Sequence, residues 1–128
     1  MIINGATIPD PDVGELDFNE RYEKATKRIE EGMKEHEFDK LSMSDGIRIQ
    51  CTYIFEFFDE VFGEGTAKAV FGERVNLKVC IDSYEQALTG INSLQWKLTN
   101  YFRNKNNENR QQRRRKKSHH QSQKAHNQ

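Results

Sequence analysis

Three features of the sequence predict a mainly α fold. Apolar residues recur at spacings of three and four along three long stretches. The first nine residues carry a two-residue turn signal between short apolar runs. The last 25 residues, 104–128, hold a single apolar residue, Ala125. The expected architecture is a short N-terminal β-hairpin, three long helices plus one short helix, and a disordered basic C-terminal tail.

The hairpin is read from MIINGATIP, in which Asn4-Gly5 sits between Ile2-Ile3 and Ala6-Thr7-Ile8. Asn-Gly favours a type I′ turn, and Pro9 and Pro11 then stop the pairing. A lone hairpin is marginal in water, so its isoleucines must pack against helices or pair elsewhere. The first helix is expected from about Asp17 to Glu37, with Phe18, Tyr22, Ala25, Ile29 and Met33 as its apolar stripe. The second is expected over Asp45–Phe62 with Ser44 or Asp45 as N-cap. Its stripe of Ile47, Cys51, Ile54, Phe55, Phe58, Val61 and Phe62 is wide, with Tyr53 and Phe57 outside it. Such a helix is central to the core or offers a second face to a partner.

The third long helix is expected from near Asn76 to Phe102 or Arg103. Leu77, Ile81, Tyr84, Leu88, Ile91, Leu94, Leu98 and Phe102 keep a heptad-like repeat along it. Gly90 interrupts its middle and either kinks it or permits close packing. The ridge is longer than two shorter helices need. Its first reading is core packing in a three-helix bundle. The sharper reading is a docking surface for a partner or a second copy at Leu94, Trp96, Leu98, Tyr101 and Phe102.

Composition divides the chain at the end of that helix. Residues 1–103 hold 43 of the 44 apolar residues, about 42 %, which is ordinary for a globular body. They carry 12 Lys+Arg against 19 Asp+Glu, whereas residues 104–128 carry 8 against 1. The formal net charge of zero therefore conceals two opposite fields. This predicts a small helical domain at 1–103 and a disordered basic tail at 104–128. The tail then touches an anionic partner or folds back on its own acidic body.

The glycine-rich stretch FFDEVFGEGTAKAVFGERVNLKVC, Phe57 to Cys80, poses the one question of catalysis. It lacks the Gly-Lys-Ser/Thr of a nucleotide P-loop, and it follows a helical stripe rather than a strand. Asp59, Glu60 and Glu64 would repel phosphate. A joint fits better: Gly63 ends the second helix, Thr66 caps a short helix over Ala67–Phe71, and Gly72 ends that one.

No nucleophile with its base is apparent, and His36 stands alone between Glu35 and Glu37. His119, His120 and His126 offer only weak metal ligation on a floppy segment. Cys51 and Cys80 lack metal-ligand spacing and suit buried reduced thiols, with a structural disulfide as the alternative. No catalytic, metal or cofactor site is expected, so the chain reads as a non-enzyme. With no signal peptide and no membrane-length apolar run, it is expected to be soluble and cytoplasmic.

The basic run at Arg110, Arg113, Arg114, Arg115, Lys116 and Lys117 would bind phosphate backbones without sequence preference. It lacks interleaved aromatic residues for base stacking. A docking or solubilising element is the favoured reading. A nucleic-acid-associated accessory protein, acting through the basic tail, is the alternative.

Taken together, MIING, the central FFDEVFGEGTAKAVFGERVNLKVC and NRQQRRRKK resemble small phage and prophage proteins encoded among the tail genes of phages of Gram-positive bacteria. These in turn resemble tail assembly chaperones, and the similarity covers most of residues 1–117. The resemblance implies a small helical protein in the bacterial host cytoplasm. It would hold a tape-measure protein soluble while tail-tube subunits polymerise around it. It implies protein partners, the tape-measure or tail-tube protein and a possible homo-oligomer, with no catalytic residues.

Overall fold

The computed structural model describes the backbone of residues 1–126 and the side chains of residues 1–114. In chain order it comprises β1 (Ile2–Ile3), β2 (Ala6–Thr7), α1 (Leu16–Glu35), a 3-10 turn (Phe38–Lys40), α2 (Met43–Phe62), α3 (Thr66–Phe71) and α4 (Leu77–His126). The fold class is mainly helical with a two-stranded N-terminal hairpin, as the periodicity predicts. The chain divides into two compact units, Met1–Leu94 and Gln95–Gln128.

The hairpin is antiparallel, with Ile2 opposite Thr7 and Ile3 opposite Ala6. Asn4 and Gly5 both take positive φ, 53° and 75°, as a type I′ turn requires. Its stability comes from outside itself. Ile3 and Ile8 are buried in the core, and the Asn4 side-chain amide donates to the Val70 carbonyl at 2.9 Å.

Helix α1 buries Phe18, Tyr22, Ala25 and Ile29, the predicted stripe, with Met33 half-buried beside them. It also buries Gly32, because the Tyr53 ring of α2 lies across it. A Cβ on Gly32 would come within 2.5 Å of that ring. Arg28 donates to both oxygens of Glu60, at 2.6 and 3.1 Å, joining α1 to α2 by a bidentate pair.

Helix α2 is the centre of the core, which resolves its wide apolar surface in favour of burial. Two expectations need correction there. The N-cap is Ser42, whose hydroxyl accepts from the Asp45 N–H at 3.1 Å; Asp45 instead pairs with Arg48. Serine can reach the amide three residues on, and this sets the helix start two residues earlier. Phe57, placed outside the stripe, is almost fully buried. Its ring packs edge-on against Tyr22, Phe58 and Tyr84, the last at 4.9 Å. Aromatic residues from three helices close around the side of α2 that the stripe left out.

Asn76 caps α4, its side-chain oxygen accepting from the Val79 N–H at 3.0 Å. The buried seam of α4 keeps part of the predicted ridge and shifts from it in part. Its deepest residues are Cys80, Ser83, Ala87 and Ile91, while Leu77, Tyr84 and Leu88 flank them and Ile81 is exposed. The large rings of α2 fill much of the shared layer, and α4 meets them with small side chains at Cys80, Ser83 and Ala87. Gly90 is a packing site: a Cβ there would lie 2.8 Å from the Met1 side chain.

Cys51 and Cys80 are free, fully buried thiols. Burial, and then the hydrogen bond between them, push the Cys80 thiol up to about 12. The segment expected to lack structure from about Asn104 follows the backbone of α4 to His126. Every side chain from Tyr101 to Arg114 is nevertheless exposed, so no core holds residues 101–114.

Candidate interaction site

The glycine-rich corner is a joint between helices. Gly63 ends α2 at φ 115°, a conformation that side chains disfavour, and its N–H still reaches the Asp59 carbonyl at 3.1 Å. The Thr66 hydroxyl donates back to the Gly63 carbonyl at 2.7 Å, so Gly65 rather than Thr66 stands at the N-cap of α3. The Asp59 carboxylate accepts from the Ala67 N–H at 2.8 Å. An amide that a phosphate would need is thus taken by a carboxylate, whose charge repels phosphate as well. Phe71 packs against Phe55 and Phe58 and fixes the corner to the core.

The ionisations that burial displaces lie in the core, while exposed Lys78 is raised by its hydrogen bond to Asp82. Burial raises Tyr22, and burial followed by the charges of Tyr22 and Glu30 pushes Tyr84 up to about 12. Both phenols are neutral packing groups, and the Tyr22 hydroxyl donates to Asn92 at 3.4 Å. His36 lies 3.4 Å from the Tyr53 hydroxyl rather than alone in solvent. Among the described residues, no three His, Cys, Asp or Glu side chains are grouped to hold a metal ion. His119, His120 and His126 have side chains outside the described residues.

The predicted docking residues fall on α4, but not as one cluster. Leu94 is half-buried and closes the first unit. Leu98, Tyr101 and Phe102 are exposed at 43, 59 and 68 %, and their spacing of three and four places them along one helix face. Trp96, 67 % exposed, lies two residues before Leu98 and so on the other side of the helix. The face is therefore Leu98, Tyr101 and Phe102, with Trp96 a separate exposed ring.

Cations surround that face. The Lys105 ammonium sits 5.5 Å from the centre of the Tyr101 ring and 4.0 Å from Glu108. Arg110, Arg113 and Arg114 are exposed further along, whereas the side chains of Arg115, Lys116 and Lys117 lie outside the described residues. Residues 95–128 carry 10 Lys+Arg against 1 acid, and residues 1–94 carry 10 against 19.

Sequence reasoning missed a cleft of about 380 Å³ in the first unit. Ile8, Phe18, Val61 and Phe62 form its apolar side, and Asp10, Asp12, Glu15 and Asp17 stand at its edge with Arg21. Its parts are far apart in sequence, from Ile8 to Thr66.

Fold and surface together define a small helical protein with an aromatic core and a charge-segregated terminal helix. The chain belongs to a family of unknown function (DUF6673), whose match covers residues 4–117. That range covers most of the first unit and part of the second, and ends at Lys117, the last residue of the basic run. No curated protein and no solved structure matches the chain. Among the described residues no helix is long and apolar enough to cross a membrane.

Proposed function

We propose that this chain is a non-enzymatic tail assembly chaperone of the phage and prophage kind that its sequence resembles. It acts in the bacterial host cytoplasm and binds a tape-measure or tail-tube protein during tail morphogenesis. The observation that carries the reading is the exposed apolar face Leu98–Tyr101–Phe102 among cations on α4. Large exposed rings in a row suit an interface, since they bury much area and lose little entropy on ordering. The cations steer an acidic stretch of client toward that face.

Co-expression with the tape-measure protein tests this directly. Tyr101→Ala and Phe102→Ala are expected to weaken co-purification by about 1 kcal/mol or more while thermal unfolding stays cooperative. Trp96→Ala, on the other side of the helix, is expected to weaken it less. Unchanged capture by both face variants would remove the reading.

The second reading, a nucleic-acid-associated accessory protein, rests on the cationic run alone. It requires binding that falls steeply between about 50 and 200 mM salt. Apolar docking persists over that range.

A further inference from the structure

We propose that the cleft of the first unit is a receptor for the α4 segment around Tyr101–Arg114 of a second copy of this chain. The inference stands on the cleft and the charge division, and it does not depend on the client proposed above.

The cleft has two properties that one segment of the same chain complements. Its floor is apolar and drawn from three separate parts of the chain. Ile8 leaves the hairpin, Phe18 begins α1, and Val61 and Phe62 end α2. At about 380 Å³ it lies near the small end of ligand clefts, with room for a few side chains rather than a folded partner.

Its edge is acidic, with four carboxylates against one guanidinium. Arg21 is itself engaged, 3.4 Å from Asp17 and with its guanidinium 5.9 Å from the centre of the Phe18 ring. Asp10 holds the Met1 amine at 2.8 Å. The requirement is for a short cationic segment with large apolar side chains.

Residues 98–114 meet that description. Tyr101 and Phe102 are exposed rings, and Arg103, Lys105, Arg110, Arg113 and Arg114 follow within about 18 Å of helix. The rings fit the apolar floor and the cations fit the edge. Charge also argues against the competing self-association. Two copies pairing their cationic halves side by side would set like charges together, since residues 95–128 hold 10 cations and 1 acid. Association of tail with cleft sets opposite charges together at each contact. Every copy offers both halves of the interaction.

A charge-swap experiment on the full chain tests this. Variant one is Glu15→Lys/Asp17→Lys, which reverses the cleft edge. Both positions are exposed, and Glu15 makes no side-chain cap bond. Variant two is Arg110→Glu/Arg113→Glu/Arg114→Glu. Sedimentation velocity is expected to show self-association of the wild type at about 50 mM salt, weakened at about 500 mM. Each variant alone is expected to associate about tenfold or more weakly. Mixing the two is expected to restore association, because the lysine-edged cleft of one then receives the glutamate-bearing segment of the other. Restoration cannot arise from a tail that binds its own body. Circular dichroism melting of each variant checks that both are folded. A wild type monomeric at low salt, a variant that self-associates like wild type, or a mixture that stays dissociated would each overturn the proposal.

Discussion

At the residue scale the core is governed by volume, and that is where reading the sequence falls short. Gly32 is the clearest case. It lies inside α1, where alanine would ordinarily gain about 1 kcal/mol in helix propensity. Here a Cβ would run into the Tyr53 ring, and overpacking costs about 1–3 kcal/mol. Gly32→Ala is thus expected to destabilise the wild type but to stabilise a Tyr53→Ala background. Denaturant melts of the four proteins check the sign change. Hydrophobic spacing could not reveal this, because it counts apolar side chains and glycine has none. The same blindness hid Ser83 and Ala87 on α4, while Phe57 was set aside only because one stripe was drawn where α2 is buried more widely. Burial also makes stability depend on alkaline pH. Cys80 is raised from 9.0, and Tyr84 from 10.0, to about 12 in the fold. Raised acids favour the fold only while neutral, so their contribution is complete below about pH 9 and is lost as pH climbs toward 12. Stability is expected to fall across that window by up to about 1.4 kcal/mol per pH unit for each group. Cys80→Ala should flatten the early part of the decline; an equally steep loss in that variant would exclude the thiol as a cause.

At the element scale the sequence was most legible, because turns and caps are local chemistry. Asn4-Gly5 declared the hairpin, Gly63 and Gly72 declared the ends of α2 and α3, and Asn76 declared the start of α4. What stayed hidden were partners distant in sequence, such as Asn4 with the Val70 carbonyl and Asp59 with the Ala67 amide. The second of these makes a prediction about the joint. Asp59 lies in the last turn of α2 and satisfies the opening of α3, so one side chain holds the corner between two helices. Asp59→Ala is expected to cost about 1–2 kcal/mol in denaturant melts, with Asp59→Asn recovering much of it. Ser42→Ala, removing the cap of α2, is expected to cost about 1 kcal/mol. Were Asp59→Ala neutral, α3 would be held by Val70 and Phe71 packing alone.

At the scale of the whole molecule, opposite charges are sorted to opposite ends of the sequence while apolar burial ends earlier than composition alone would mark. The composition changes after Arg103, yet Leu98, Tyr101 and Phe102 before it are already exposed. Their exposure was legible as a surplus of ridge, but which rings shared a face required the helix register. The stretch of α4 over residues 101–114, whose side chains are all exposed, draws on its own backbone hydrogen bonds and on pairs such as Lys105–Glu108. Stability must then be unequal along α4: near the global value at Ile91, inside the core, and far lower past Tyr101. Limited trypsin digestion of the full chain is accordingly expected to cut first at Arg103, Lys105, Arg110, Arg113 and Arg114, all exposed. Body sites such as Arg28, tied to Glu60 inside a packed helix pair, should resist far longer. The retained fragment should keep the melting midpoint of the full chain to within a few degrees, since among the described residues the hydrophobic core ends at Ile91. Mass spectrometry of the first products and a melt of the fragment decide it. A first cut within residues 16–62, or a fragment that no longer unfolds cooperatively, would mean that the terminal half of α4 supports the body.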